Sequence, residues 1–349
     1  MIDKNEFKPG GLPTAIGSMP HTDPEAALSL ILDTLPDLPV WPQLPQRSHL
    51  ENMYVQYSEG LPGVVLTDQK IYIDRSADIF TSREMEDLYT AYMENKGDDY
   101  AISPEYAAGL RLFLERKLDS ALAVKGQVTG PISFGLVVTD QERRPTLYDE
   151  VLADAIAKHL RLKAVWQESE LARVSPNTII FLDEPYLASL GSAFVALSSD
   201  MVVNLTNEAL GGISGLKGMH CCGNTDWSVL MSTDIDILSF DAYNYGHSLT
   251  LYPDAVQAFL DRGGVIAWGI VPNEESPLDE ETTDSLIKKL DNLMSLLSDK
   301  GVRYDILLER CLITPSCGLG SSSPETAAKA LQLTAEVSRE FRRSHDLEK

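Results

Sequence analysis

From about residue 105 onward the chain alternates short apolar runs with longer stretches of helical periodicity, and this alternation constrains the fold more than any other feature. The helical stretches include residues 107–117 and 146–174. The apolar runs predict parallel strands at residues 121–124, 178–182, 201–205, 215–219, 235–240, 265–270 and 312–314. Strands that alternate with helices predict an α/β protein with a parallel sheet, either closed as a barrel or open and doubly wound.

Residues with reactive side chains follow the C-terminal ends of many of these runs, and this placement favours the barrel. Active sites of (β/α)8 barrels form in the loops that follow the strands. We therefore predict a single (β/α)8 TIM barrel over residues 1–349, a length that such barrels commonly reach with loop insertions. Residues 1–105 form its loop-rich N-terminal part, with a hairpin predicted at residues 63–66 and 71–73.

The charge balance argues against one class of partner. The chain has 29 Lys and Arg against 52 Asp and Glu, a formal charge of −23 that would repel a phosphate backbone, so we expect no nucleic-acid partner. The first residues are polar, without a signal-peptide pattern, and no run of about 18 apolar residues occurs. We therefore expect a cytoplasmic protein with no membrane partner.

Four cysteines, at positions 221, 222, 311 and 317, are distributed unlike the disulfide framework of a secreted protein. His220 and Cys222 form an H-x-C pair after one predicted strand, and Cys317 follows another. Zinc takes thiolate and imidazole ligands in tetrahedral geometry, so these three side chains are candidate ligands, with Asp241 as the candidate fourth. The alternative is that the cysteines are small buried apolar residues, as predicted for positions 221 and 311.

Five segments of the chain carry a resemblance to a known family. They are residues 16–20 (IGSMP), 124–131 (VKGQVTGP), 181–185 (FLDEP), 219–225 (MHCCGNT) and 315–319 (PSCGL). In matching order, and over almost the whole chain, they resemble the C-terminal catalytic half of cobalamin-independent methionine synthase. The run 220–225 also resembles the zinc motif of the methylcobamide:coenzyme M methyltransferases, which share a barrel superfamily with uroporphyrinogen decarboxylase.

The resemblance implies a zinc-dependent thiol methyltransferase. His220, Cys222 and Cys317 would be its catalytic residues and, together with Asp241, would hold Zn²⁺, while the acceptor thiol would bind the metal as a thiolate. Asp241 stands where the methionine synthases usually carry Glu, and its side chain is shorter by one methylene.

The resemblance also implies an acceptor site. Ser18 would bind the carboxylate and Asp183 the ammonium group of homocysteine, and Thr129 and Glu184 in the matching segments are predicted to contact substrate as well. Three of these side chains have alternative roles. Ser18 and Asp183 could cap a turn or a helix, and Glu184 could support a strand end or a metal ligand.

The methyl donor is inferred from what the chain lacks. Folate-using synthases carry a His after a late strand, at the point where a proton must be delivered to the leaving nitrogen of the folate. This chain has no His between His247 and His345. At 349 residues it is also not expected to carry their additional N-terminal barrel. Because a corrinoid leaves without a proton, we predict methylcobalamin or a methylated corrinoid protein as the donor. Trp41, Trp227 and Trp268 either pack in the core or face its flat ring.

Two other enzymes remain as alternatives. A methylcobamide:coenzyme M-type or other alkyl-thiol methyltransferase would use the same zinc with a different acceptor. A decarboxylase of the uroporphyrinogen type would need basic groups against several carboxylates and no metal, but only Arg47, Arg75 and Arg83 precede residue 100. A corrinoid-binding accessory protein is a non-enzymatic alternative, and the chain lacks its usual D-x-H-x-x-G motif.

Overall fold

A parallel sheet of seven strands forms the centre of the protein in a computed structural model that describes residues 2–68, 70–75, 82–118, 120–192 and 195–347. In chain order its strands are β1 (Leu12–Pro13), β4 (Val124–Thr129), β6 (Thr178–Asp183), β7 (Leu216–Cys221), β8 (Ile237–Phe240), β9 (Val265–Val271) and β10 (Cys311–Pro315). The spatial order is β1-β10-β9-β8-β7-β6-β4. A small second sheet contains β2 (Val64–Leu66), β3 (Ile71–Ile73) and β5 (Thr139–Asp140).

Helices alternate with the strands of the large sheet. They are α1 (Pro24–Thr34), α2 (Met53–Gln56), α3 (Arg83–Glu94), α4 (Ala108–Leu114), α5 (Pro131–Val137), α6 (Glu150–Leu171), α7 (Ser199–Leu210), α8 (Trp227–Met231), α9 (Ala242–Leu249), α10 (Pro253–Asp261), α11 (Glu275–Glu280), α12 (Thr283–Ser298), α13 (Tyr304–Glu309) and α14 (Pro324–Ser344). Most residues of the large sheet are buried on both faces, which explains why strands β6, β9 and β10 read as apolar runs. None of the helices in the described ranges is long and apolar enough to cross a membrane.

An irregular segment links the two edges of the large sheet. On one side, the amide of Lys125 in β4 donates to the carbonyl of Pro39 at 2.9 Å. On the other, the amide of Gln43 donates to the carbonyl of Gly17 at 3.0 Å, and the amide of Met19 donates back to Gln43 at 2.8 Å. Residues 39–43 therefore lie between β4 and the chain that follows β1.

Two of the predicted strands are corrected by the structure. The run 201–205 lies inside helix α7, whose N-cap Ser198 accepts a hydrogen bond from the amide of Met201 at 3.1 Å. Its buried residues Val202, Thr206 and Ala209 follow helical spacing, which a five-residue window could not reveal. The run 121–124 overlaps the true strand only at residue 124, because β4 spans residues 124–129. The predicted hairpin is confirmed as β2 and β3, which pair antiparallel.

Hydrogen bonds from Arg310 hold the N-terminal segment against the sheet. Its guanidinium donates to the carbonyls of Lys4, Asn5, Phe7 and Gly263 at 2.8 to 3.4 Å. Because these bonds have a charged donor and Arg310 is buried, we expect Arg310→Ala to lower the free energy of unfolding by about 3 kcal/mol. Urea denaturation measures this loss. An unchanged midpoint would show that the four carbonyl contacts add nothing to stability.

His159 makes the free energy of unfolding depend on pH. It is fully buried in α6, and its Nε2 lies 2.7 Å from the carbonyl oxygen of Tyr57. Burial, and next the charge of Lys163, lower the pKa of His159 to about 3. In the unfolded chain the pKa of a His is about 6.5, so the unfolded state takes up a proton before the folded state does. The free energy of unfolding therefore falls as the pH drops below that value.

We expect the His159 contribution to reduce the free energy of unfolding by up to about 1.4 kcal/mol per pH unit between about pH 6 and pH 4. His159→Gln keeps a donor for Tyr57 but does not titrate. Denaturant titrations of both proteins at pH 7, 6, 5 and 4 should therefore give a shallower pH dependence for the variant. Equal slopes would contradict the assignment.

Candidate metal centre

The ends of two strands bring three predicted ligands together. His220 lies in β7, Cys222 follows that strand directly, and Cys317 comes two residues after β10. One ligand atom from each, the imidazole nitrogen and the two sulfurs, lies within 4.8 Å of the other two. His220 is buried, whereas both thiols are partly open to solvent. Three soft or borderline donors around one point have the composition of a catalytic zinc site.

The protonation of this group follows from its packing. The Nδ1 atom of His220 lies 2.9 Å from the hydroxyl of Ser239, whereas Nε2 is buried without a hydrogen-bond partner among the described residues. The adjacent Cys317 thiol, and next His220, lower the pKa of Cys222 to about 4. The thiolate of Cys222 and burial raise the pKa of Cys317 well above its usual range. The two thiols are therefore coupled, so the pair loses one proton more readily than a second.

Asp241 lies outside this group of three. It is the N-cap of α9, and its Oδ1 accepts a hydrogen bond from the amide of Asn244 at 2.9 Å. Its Oδ2 accepts a second bond from the Asn244 side chain at 2.7 Å. Both carboxylate oxygens are therefore occupied by one neighbour. Metal ligation by Asp241 stays a prediction.

A cavity of about 360 Å³ opens over the three ligands. Two of the predicted substrate residues, Ser18 and Asp183, line it, and the described residues in its wall include no Lys or Arg. Burial raises the pKa of Asp183 to about 6, opposed by the charge of Lys125. The Oδ1 atom of Asp183 is buried and has no hydrogen-bond partner within the described ranges. The carboxylate of Asp183 thus lies in the cavity wall beside the candidate metal ligands.

The other two predicted substrate residues lie behind the cavity wall. Glu184 accepts hydrogen bonds from the amides of Ile132 and Ser133 at 2.9 and 2.7 Å, at the start of α5, and burial raises its pKa to about 7. The hydroxyl of Thr129 donates to the carbonyl of Met53 at 2.6 Å. These contacts hold the wall in place, and substrate contact by Glu184 or Thr129 stays a prediction.

Three further residues support the candidate site. Lys125 is buried and donates from Nζ to the carbonyl of Ile16 at 2.6 Å, which holds the segment that carries Ser18. Asn273 accepts a bond from Ser316, next to Cys317, at 2.9 Å. The third is Ser239, beside His220.

One sequence signal could have found Ser239. It lies two residues before Asp241, and the two-residue period of a strand places both side chains on one face. Asn273 follows the predicted strand at residues 265–270, and this position after a strand is the same signal that marks the candidate ligands. The three tryptophans pack in the core and do not face a ligand. Trp41, Trp227 and Trp268 are all fully buried, and none lines the cavity.

Comparison with known proteins identifies the fold. No protein-family model matches the sequence, and neither does any curated protein. A solved B12-independent methionine synthase from Shewanella sp. W3-18-1, in complex with selenomethionine, aligns with a TM-score of 0.60 at 15% identity, over 97% of this chain and 99% of that one. The chain has the fold of this synthase.

Two further solved structures agree. A putative vitamin-B12-independent methionine synthase from Listeria monocytogenes gives a TM-score of 0.57 at 15% identity, over 91% of this chain and 86% of that one. A methyltransferase from Methanosarcina mazei gives 0.53 at 12% identity, over 92% and 86%. The resemblance to the methionine synthases and methyltransferases inferred from the five sequence segments is therefore confirmed at the level of fold.

Proposed function

We propose that the protein is a zinc-dependent methyltransferase that transfers a methyl group to a thiol. The observation that carries this proposal is the convergence of His220, Cys222 and Cys317 within 4.8 Å at the base of a cavity. The fold supports it, because the similar structures are named as methionine synthases and a methyltransferase.

The three side chains fit zinc. Nε2 of His220 is buried with no partner among the described residues, and a buried nitrogen lone pair in that state is suited to a metal. Cys222 and Cys317 supply two sulfurs, which zinc accepts. When bound, zinc lowers the pKa of a coordinated thiol, so that the acceptor is present as a thiolate at neutral pH.

Homocysteine is the proposed acceptor. Its ammonium group would meet the carboxylate of Asp183, and its own carboxylate would meet Ser18 on the same cavity wall. Coenzyme M carries a sulfonate and no ammonium group, and no Lys or Arg among the described lining residues could pair with that sulfonate. The same lack of cations argues against a substrate with many carboxylates, such as uroporphyrinogen.

A methylated corrinoid is the proposed donor. His220, a candidate ligand, is the one His among the described residues of the cavity wall, so none is left to protonate an amine leaving group. In the proposed transfer, sulfur forms a bond to the methyl carbon while the carbon–cobalt bond breaks and its electron pair stays on cobalt. The two named synthases are B12-independent, so the donor is where this protein is proposed to differ. A corrinoid-carrying protein is the proposed partner.

We further propose that the fold is a single (β/α)8 barrel over residues 1–349. The irregular segment 39–43 would take the place of the eighth strand, because its backbone bonds to Lys125 on one side and to Gly17 on the other. The backbone between Gly17 and β1 continues towards β10, since the amide of Thr14 donates to Ile313 at 3.0 Å.

A two-by-two assay tests acceptor and donor. Purified protein with zinc is given homocysteine or coenzyme M as the acceptor, and methylcobalamin or methyltetrahydrofolate as the donor. We expect methionine from homocysteine and methylcobalamin, with little product from the other three pairs. Product from coenzyme M alone would support the alternative acceptor, and equal rates with methyltetrahydrofolate would contradict the corrinoid proposal.

A further inference from the structure

A buried hydrogen bond joins His220 to the neighbouring strand. His220 in β7 and Ser239 in β8 are directly paired in the parallel register, which places their side chains side by side. The two residues are 3% and 1% exposed, so water does not compete for the contact. The Ser239 hydroxyl oxygen lies 2.9 Å from Nδ1 of the imidazole, within the range of a good hydrogen bond.

This contact bears on which nitrogen of His220 carries the proton. A neutral imidazole has one N–H and one lone pair, and only the lone pair can bind a metal. If Nδ1 carries the hydrogen, it donates to the Ser239 oxygen and the lone pair is on Nε2. That arrangement agrees with Nε2 being the nitrogen without a partner in the described structure. The other tautomer would put the hydrogen on Nε2, and that nitrogen would then have no lone pair with which to bind a metal.

The other neighbour of His220 cannot replace this contact. Asp183 in β6 is paired with His220 on the opposite side, but Nδ1 contacts Ser239 and Nε2 has no hydrogen-bond partner among the described residues, so neither imidazole nitrogen is bonded to Asp183. Ser239 is therefore the side chain that holds Nδ1. Ligating histidines in metal sites usually depend on a second hydrogen bond of this kind.

We infer that Ser239 is a positioning residue that fixes the tautomer and orientation of His220, and thereby sets the affinity of the site for zinc. The inference rests on the proposed zinc site and deepens it. Ser239 does not touch the metal or the substrate in this account, and acts only through the imidazole.

Zinc affinity tests the inference without any catalytic assay. Metal-free native protein, Ser239→Ala and Ser239→Thr are titrated with zinc in competition with a chromophoric chelator. We expect Ser239→Ala to bind zinc about 10–100-fold more weakly, the usual loss when such a partner is removed. Ser239→Thr keeps the hydroxyl and should recover most of the affinity.

Ser338→Ala is the matched control. Ser338 in α14 is 2% exposed, and its hydroxyl donates to the carbonyl of Gly11 at 2.6 Å. The variant therefore removes a buried hydroxyl whose partner precedes β1, whereas the candidate ligands lie at or after the ends of β7 and β10. It should bind zinc as the native protein does. Thermal unfolding of each metal-free variant separates a loss of affinity from a loss of folding.

A second measurement reads the tautomer itself. In metal-free protein labelled with ¹⁵N, the His220 ring should give the resonances of the Nδ1–H form, and Ser239→Ala should shift them towards a mixture. Zinc binding by Ser239→Ala that equals native binding, with an unchanged tautomer, would overturn the inference. If native protein binds no zinc, the proposed function fails as well, so the two failures are distinguishable.

Discussion

Replacing Cys317 by Ser is expected to weaken zinc binding by more than about 100-fold, beyond the loss typical of removing an outer hydrogen-bond partner. Cys317 supplies one of three donors that lie within 4.8 Å of each other, and a Ser hydroxyl is a poor zinc ligand at neutral pH. Methyl transfer should be lost with the metal. Elemental analysis after dialysis and chelator competition measure the zinc, and circular dichroism measures the fold.

Cys311→Ser is the control for this variant. Cys311 is fully buried in β10, and its sulfur lies 3.1 Å from the carbonyl oxygen of Leu308, outside the metal centre. The same atom is exchanged, but the variant should keep native zinc content. Equal zinc content in Cys317→Ser and native protein would remove Cys317 from the site, whereas loss in both variants would indicate a general folding defect.

Asp183→Asn is expected to raise the KM for homocysteine about 100-fold, which corresponds to about 3 kcal/mol. The carboxylate is buried, its Oδ1 has no hydrogen-bond partner among the described residues, and it would be the partner of the acceptor's ammonium group. An amide keeps the shape but removes the charge, so the ammonium group would be buried without a counter-ion. Zinc content should not change, because Asp183 is outside the group of candidate ligands. Steady-state kinetics at saturating donor measure the effect.

A matched acceptor sharpens this test. 4-Mercaptobutyrate has the thiol and the carboxylate of homocysteine but no ammonium group. Native protein and Asp183→Asn should therefore use it with similar KM values, both well above the native value for homocysteine. A 100-fold rise with both acceptors would show that Asp183 supports the cavity rather than the ammonium group.

Much of the fold could be predicted from periodicity because several of the buried strands are apolar runs. Strands β6, β9 and β10 lie within one residue of their predicted bounds. The prediction of a strand at residues 201–205 was wrong because five apolar and polar residues fit a strand as well as a helix. Strand β1 has two residues and the segment 39–43 is irregular, so neither leaves a periodic pattern. Backbone hydrogen bonds to neighbours distant in sequence define both.

Some residues of the candidate site could likewise be predicted from the sequence, and others could not. His220, Cys222 and Cys317 could be predicted because chemistry at strand ends converges on one edge of a parallel sheet. The environment of Asp241 could not, because a carboxylate after a strand is equally suited to capping a helix or binding a metal. Burial of Glu184 against an amide pair depends on where α5 begins, which the sequence does not specify.

The most direct test of the central claim is methyl transfer from methylcobalamin to homocysteine, measured with native protein, with protein stripped of zinc, and with stripped protein to which zinc is restored. Cobalamin absorbance and methionine are both followed. We predict transfer by the native protein, loss of at least about 100-fold on stripping, and recovery on restoring zinc. Transfer at the native rate by the stripped protein, or no transfer by zinc-loaded protein, would contradict the account.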